Sequence, residues 1–349
     1  MRGPGHRLAS VGPQTLCGRR ELPSALHQPW NVTLADNSVH RVKFTFGHPP
    51  FDMLLQPSVY DQTSWERLLR EQEYAYHVAA LRRVIRRFAS GGQCTVLDIG
   101  CNSGYISLLS ASFGCRVHAF EASPAMQRHA QRSFDANGEI GRRVNLHRIA
   151  VARQEGNLNF VTLRGGSIYD HIVSAAEART LSALPDHRVT RVPARPISIE
   201  LAKSGPADSF DFAKLDCEGC EAMALVTLRP LLVRGAIRVI MTEWITKRIQ
   251  AVSGKNMIEN AVGILRSAGY RSLTWSGHPQ PLDTLLDPKT EVGDLFIVHG
   301  DIGVAEFTEQ DFSARSHGIL ATWQELQQCE QTQGGRRRIH STQNHNKRK

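Results

Sequence analysis

The spacing of apolar positions changes character at residue 94. Thr95-Val96-Leu97-Asp98-Ile99 is short, apolar and β-branched, as expected of a strand buried on both faces. Gly100 stops that run and Gly104 follows; from Ser103 to Phe113 apolar residues then recur at helical spacing through Ile106, Leu109 and Phe113. A second short strand, 116–120, ends on Glu121. Ser123 and Pro124 supply an N-cap and a first helical residue for a helix running to Ala136. Residues 144–151 and 157–163 read as strands, whereas 165–193 keeps no period and is expected to be a long excursion over the site. Regularity returns with a strand at 211–216, a helix at 221–233, a strand at 238–241, a helix at 258–268 and two strands at 270–275 and 295–298. Strands alternating with helices, then two strands in succession, predict an α/β fold: a doubly wound sheet finishing in an antiparallel hairpin.

Upstream, alternation from 32 to 46 around Asp36-Asn37-Ser38 predicts a hairpin that His48-Pro49-Pro50 breaks. Residues 65–88 carry a helical stripe, Leu68, Tyr76, Leu81, Val84 and Phe88, with Arg82, Arg83, Arg86 and Arg87 as its solvated side. The expected organisation is a leader over 1–30, a hairpin-and-helix extension over 31–92, the catalytic-type domain over 93–300, a C-terminal extension over 301–330 and a basic tail over 331–349.

Composition changes this picture in one respect. The net charge of +9 resides at the two ends: residues 336–349 carry six Lys and Arg and no acid, and residues 1–30 carry four Arg against Glu21. Residues 31–335 are formally neutral, so no basic nucleic-acid face is implied for the folded part. No apolar run is long enough for a membrane span. The leader lacks a secretory h-region, and its Arg-rich, acid-poor character fits either a transit segment or a functionless leader; the expectation is cytoplasmic or organellar, not secreted. Of the seven cysteines, Cys94, Cys101, Cys115, Cys217 and Cys220 fall on presumed buried strands and turns, where free thiols in a reducing compartment are expected. Cys217-Glu218-Gly219-Cys220 also raises a redox reading, and no second C-x-x-C completes a zinc site.

The chemistry lies in the turn after the first strand. A dinucleotide site reads G-x-G-x-x-G around a pyrophosphate; here the line is Asp98-x-Gly100-x-x-x-Gly104, with Asn102 where the middle glycine would stand. An acid at the strand end suits a ligand with a cationic end, and Glu121 at the next strand end can accept from ribose hydroxyls. Ligands of open α/β sheets bind at the carboxyl ends of strands, and Asp216, Glu218 and Glu243 also fall there, with Lys214 on the face of Asp216. Asp216 or Glu243 could take a proton from an acceptor, or the two could hold a divalent cation such as Mg2+. Glu218 and Glu221, opening a helix, fit ordinary first-turn residues.

The D-x-G-x-x-x-G line and its second acid resemble the cofactor site of class I S-adenosylmethionine-dependent methyltransferases. VLDIGCNSGYISLLSASFG, HAFEASP, FDFAKLDCEGCEAMAL and VIMTEW together, in order and spacing over about residues 94–300, resemble the FkbM family. Its fourth-strand pattern F-x-K-x-D-x-E-G is matched by Phe212, Lys214, Asp216, Glu218 and Gly219, with departures at Arg153, Ser198 and Glu200. The resemblance implies a seven-stranded, mostly parallel Rossmann-like sheet and O-methylation of a small-molecule or glycan hydroxyl. It implies S-adenosyl-L-methionine held by Asp98, Gly100, Asn102, Gly104, Tyr105, Glu121 and Ala150, with Asp216, Glu243 and Lys214 as catalytic residues. Other classes remain open at this stage: RNA ribose methylation through Lys214, Asp216 and Glu243, an NAD(P) oxidoreductase, or a non-catalytic interaction protein.

Overall fold

The computed structural model describes residues 39–44, 49–56, 81, 84, 94–163, 171–205, 209–274, 277–289 and 291–300. The leader, the tail and most of the helix expected over 65–88 lie outside these, although Leu81 and Val84 are helical and buried.

Two strands open the described chain, β1 (His40–Phe44) and β2 (Phe51–Leu55). They pair antiparallel, Phe44 opposite Phe51. Phe51, directly after the His48-Pro49-Pro50 stretch that was expected to end the hairpin, is thus paired in it, and the proposed turn at 36–38 lies outside the described residues. In β2 every second side chain is buried, the pattern of a strand with one covered face. That face meets the next helix: Tyr105 packs 5.1 Å from Phe44 and 5.7 Å from Phe51, centroid to centroid. Asn137 fastens the hairpin by accepting from the Asp52 N–H at 2.8 Å.

Next come β3 (Thr95–Ile99), α1 (Tyr105–Ser112), β4 (Arg116–Phe120), α2 (Pro124–Ala136), α3 (Gly138–Arg142) and β5 (Val144–His147). The Ser123 hydroxyl caps α2, accepting from the Met126 N–H at 3.4 Å. A smaller unit follows, β6 (Ala150–Val151), β7 (Gly156–Leu163), β8 (His171–Val173), α4 (Ala175–Leu181) and β9 (His187–Arg195). Then α5 (Ile197–Lys203) leads to β10 (Phe210–Leu215), α6 (Glu221–Thr227), α7 (Arg229–Leu232) and β11 (Ile237–Ile245). The described chain closes with α8 (Thr246–Ser253), α9 (Lys255–Ser267), β12 (Tyr270–Thr274), β13 (Pro279–Gln280), a 3-10 turn (Leu282–Leu286) and β14 (Glu291–His299).

The main sheet has the order β13-β12-β14-β11-β10-β3-β4-β5. β5, β4, β3, β10 and β11 are parallel, and β14 enters antiparallel between β11 and β12. These are the seven strands of the expected fold, with the two-residue β13 added at one edge. Helices cover both faces: Val96 and Phe212 join one core with α1 and α2, while Leu97, Ile99 and Leu215 join the other with α6 and α9.

Two expectations are corrected here. The strand expected over 144–151 is two strands, since Ala150–Val151 leaves the main sheet to pair with β9. The excursion over 165–193 has structure: β8, α4 and β9 complete a four-stranded sheet of order β6-β9-β7-β8. β8 is only three residues long, and the longer β9 is mixed in polarity and interrupted by charge, so no period shows.

Candidate active site

Ile99 is level with Leu215 and with Phe120, and Leu215 is level with Thr242. Gly100, Asp216, Glu121 and Glu243 are each the next residue, so the carboxyl ends of β3, β10, β4 and β11 bring them to one edge of the sheet. Strain collects at the same edge. Among the described residues, Asn102 (φ 52°) and Glu218 (φ 59°) are the two non-glycines with left-handed backbone. Such conformations persist only where surrounding contacts over-determine them.

The first turn is built by packing. A Cβ on Gly100 would stand 1.9 Å from the Asp216 carbonyl oxygen, and one on Gly104 would stand 2.5 Å from the Phe134 ring. Both glycines therefore admit neighbouring protein, a reason sequence reasoning assigned to ligand approach. Asp98 is fully buried and accepts from the Ser107 hydroxyl at 2.6 Å. Glu121 accepts from the Asn102 N–H at 2.8 Å and the Ser123 N–H at 2.7 Å. Burial pushes its carboxyl up to about 7, against the pull of those N–H donors and of Lys214. The Asn102 side-chain oxygen is buried with no hydrogen-bond partner. An acceptor left so, beside a carboxylate and the start of α1, fits a ligand that brings hydroxyl or amine donors. Cys101, buried in the same turn, has its thiol held well above the usual range by burial and by Asp98 and Glu121, so it remains a neutral packing residue.

Two members of the expected cofactor set stand elsewhere. The Tyr105 ring is buried between Phe44 and Phe51, so this side chain belongs to the core and is removed from the set. Ala150 is buried in the second sheet, in a small apolar cluster that Ala122, the residue after Glu121, packs against. That cluster puts the second sheet beside the cofactor turn.

The second turn carries the charge. Lys214 is buried; its ammonium donates to the Gly100 carbonyl at 3.0 Å and faces Asp216 at 3.3 Å and Asp98 at 3.8 Å. Burial opposes that cation, but the Asp216 and Asp98 carboxylates outweigh it and hold its pKa above the ordinary lysine value. Arg248, on α8, reaches Glu218 at 2.6 Å and Glu243 at 3.2 Å. Burial, with Asp216 and Glu243 nearby, pushes the Glu218 carboxyl up to about 7 in spite of Arg248. Glu218, expected to be an ordinary first-turn acid, and Arg248, which sequence reasoning missed, thus join the charge cluster at this edge. The signal for Glu218 was its place in the F-x-K-x-D-x-E-G line; α8 left no periodic trace. Glu221 keeps the structural role expected of it, accepting from the Cys217 N–H at 2.9 Å and the Gly219 N–H at 3.3 Å.

The Mg2+ option does not fit. Asp216 and Glu243 already face Lys214 and Arg248, and no group of three or more potential ligands gathers among the described residues. The cysteine expectation is also corrected: Cys94 pairs with Cys115 and Cys217 with Cys220, leaving Cys101 as the free cysteine among the described residues. His118, half-buried on β4, has its Nδ1 3.1 Å from Nε2 of His147.

The FkbM methyltransferase domain model matches residues 98–272, from Asp98 to beyond the whole charge cluster. The chain belongs to the FkbM methyltransferase family. Methyltransferases of this family use S-adenosylmethionine. No curated protein matches the chain in sequence. Among solved structures it is similar to a putative O-methyltransferase from Klebsiella pneumoniae at 13% identity, covering 64% of this chain and 80% of that one with a TM-score of 0.33. It is also similar to an O-methyltransferase from Bacillus cereus in complex with SAH, at 15% identity, 63% and 79% coverage and a TM-score of 0.31. A precorrin-6y C5,15-methyltransferase from Geobacter metallireducens GS-15 gives 14%, 64%, 86% and 0.30. No helix among the described residues is long and apolar enough to cross a membrane.

Proposed function

We propose that this FkbM methyltransferase methylates oxygen, on a hydroxyl of a small molecule or glycan. The observation that carries the reading is the carboxylate cluster Asp216, Glu218 and Glu243, set against two fixed cations at the edge where the cofactor turn lies. S-adenosylmethionine, when bound, supplies an electrophilic methyl group. The protein then has two tasks, to hold a hydroxyl in line and to receive its proton. Asp216, about two-fifths exposed and anchored by Lys214, is the orienting acceptor. Glu218 suits the proton, because a carboxyl at about 7 is half ionised at neutral pH. Glu243 shares Arg248 with Glu218 and adjusts its charge. Asp98, Asn102 and Glu121, with the backbone at Gly100 and Gly104, are the residues placed to hold the cofactor.

A panel of sugars, polyols and phenols, with amine and nucleoside controls, assayed for S-adenosylhomocysteine release tests this. Oxygen-methylated product is expected. Asp216→Asn and Glu218→Gln should each lower turnover by roughly 10²–10⁴ with cofactor affinity nearly intact. A product methylated on nitrogen, or full turnover in both variants, overturns the reading.

A further inference from the structure

The C-x-x-C line is the one motif that the methyl-transfer reading leaves unused. Its two cysteines close a ring across the turn between β10 and α6, with Cα atoms 5.4 Å apart. Both pack on the core beneath α6 but differ in access: Cys217 is half-buried, whereas Cys220 is 4% exposed. An external thiolate can therefore approach from the Cys217 side. Inside the turn lies Glu221, itself buried, with one carboxyl oxygen taking the Cys217 and Gly219 N–H groups and the other, Oε2, buried without a partner. Burial pushes that carboxyl up to about 7, so near neutral pH it carries a proton about half the time.

The ring encloses Glu218 and Gly219, both with left-handed backbone, φ 59° and 105°. Gly219 is pressed against α8, where a Cβ would meet Val252 at 2.7 Å, and its carbonyl accepts from the Ser253 hydroxyl at 2.9 Å. The turn is joined to the cofactor loop as well, through the Asp216 N–H on the Ile99 carbonyl at 3.0 Å and Lys214 on that of Gly100. A covalent ring around the one strained glutamate of the second turn holds that glutamate in place.

We propose that Cys217–Cys220 is a reversible thiol–disulfide exchange site, taking a dithiol reductant at Cys217, whose state sets the shape of the turn presenting Asp216 and Glu218. A thiolate of the dithiol attacks the Cys217 sulfur; the Cys217–Cys220 bond breaks and its electron pair leaves on Cys220, which takes a proton released by the dithiol on ionisation. The second thiolate of the reductant attacks its own sulfur in the mixed disulfide and releases Cys217, which is protonated from solvent. The protein gains two thiols and the reductant becomes a cyclic disulfide. The consequence for catalysis rests on the function proposed above; the exchange site itself does not. Cys94–Cys115, with both residues buried, is the internal control.

The test uses the full chain, equilibrated across ratios of reduced to oxidised dithiothreitol, acid-quenched and alkylated. The tryptic peptide that follows Lys214 holds both cysteines, so the ring appears as a loss of two hydrogens. It should open and close reversibly, and before Cys94–Cys115 does. Hydrogen exchange of the Cys217 and Gly219 amides should quicken by about tenfold or more in the reduced protein, because the ring no longer holds them on Glu221. Two free thiols that persist in excess oxidised glutathione would overturn the site. Exchange without any change in amide protection would overturn its hold on the turn. Absence of S-adenosylhomocysteine binding in both redox states would count against the methyltransferase reading alone.

Discussion

Gly100→Ala isolates the contact that joins the two turns, and Gly114→Ala is its matched control. Both glycines are left-handed, φ 77° and 96°, so an alanine at either costs about 1–2 kcal/mol of backbone strain, partly offset by about 0.4–1 kcal/mol from a less flexible unfolded chain. They differ in what a methyl would meet. At Gly114 nothing lies within 4 Å, whereas at Gly100 the Asp216 carbonyl oxygen is 1.9 Å away and belongs to backbone that cannot swing aside. Forcing that overlap apart costs a further ~1–3 kcal/mol, as overpacking of a dense interior does. Urea unfolding of the three proteins should therefore place Gly114→Ala within about 1 kcal/mol of wild type and Gly100→Ala lower than the control by about 1–3 kcal/mol. The Gly100 variant should also bind S-adenosylhomocysteine more weakly in calorimetry, since any relief must move the Asp98–Gly104 turn. Equal destabilisation at the two positions would refute the claim that Gly100 is kept for closeness to β10.

Lys214→Met should cost about 3–5 kcal/mol in the same assay, because it strands the buried Asp98 carboxylate without its ammonium; a loss under 1 kcal/mol would show that Asp98 does not depend on it. Glu221 binds a proton in the folded protein between its ordinary 4.5 and about 7, so its contribution is fully present below 4.5 and lost as pH rises through 7. Stability of wild type should accordingly fall by about 3 kcal/mol across that window relative to Glu221→Gln, and parallel pH profiles would refute this. Arg248→Met removes the cation that lowers the Glu218 carboxyl, so the acidic limb of the turnover profile should move to higher pH, and an unmoved limb would separate the two residues.

Much of the sheet was legible because its strands are buried on both faces and spell themselves as continuous apolar runs, as 95–99 does. The α2 limits could be read residue by residue, since Ser123 and Pro124 announce its start. The second sheet was not legible. Half-exposed β9 alternates weakly and includes Arg188, Arg191 and Pro193, and its pairing with the far shorter β6 is set by tertiary contact alone. At the site, the acids were placed correctly by strand ends, but motif position could not tell a ring that touches ligand from one that fills the core. Tyr105 belongs to the core because the β1–β2 hairpin, distant in sequence, supplies Phe44 and Phe51. Glu218 looked like an ordinary first-turn acid because φ and burial, which give it chemical interest, leave no mark in composition.

The most direct test of the central claim is calorimetric titration of the wild-type chain and Glu121→Ala with S-adenosylhomocysteine, and of the wild type with NAD. The account predicts one S-adenosylhomocysteine per chain, binding weaker by ~1–3 kcal/mol in the variant, and no heat with NAD. Unchanged affinity in Glu121→Ala, or NAD binding in place of S-adenosylhomocysteine, would contradict it.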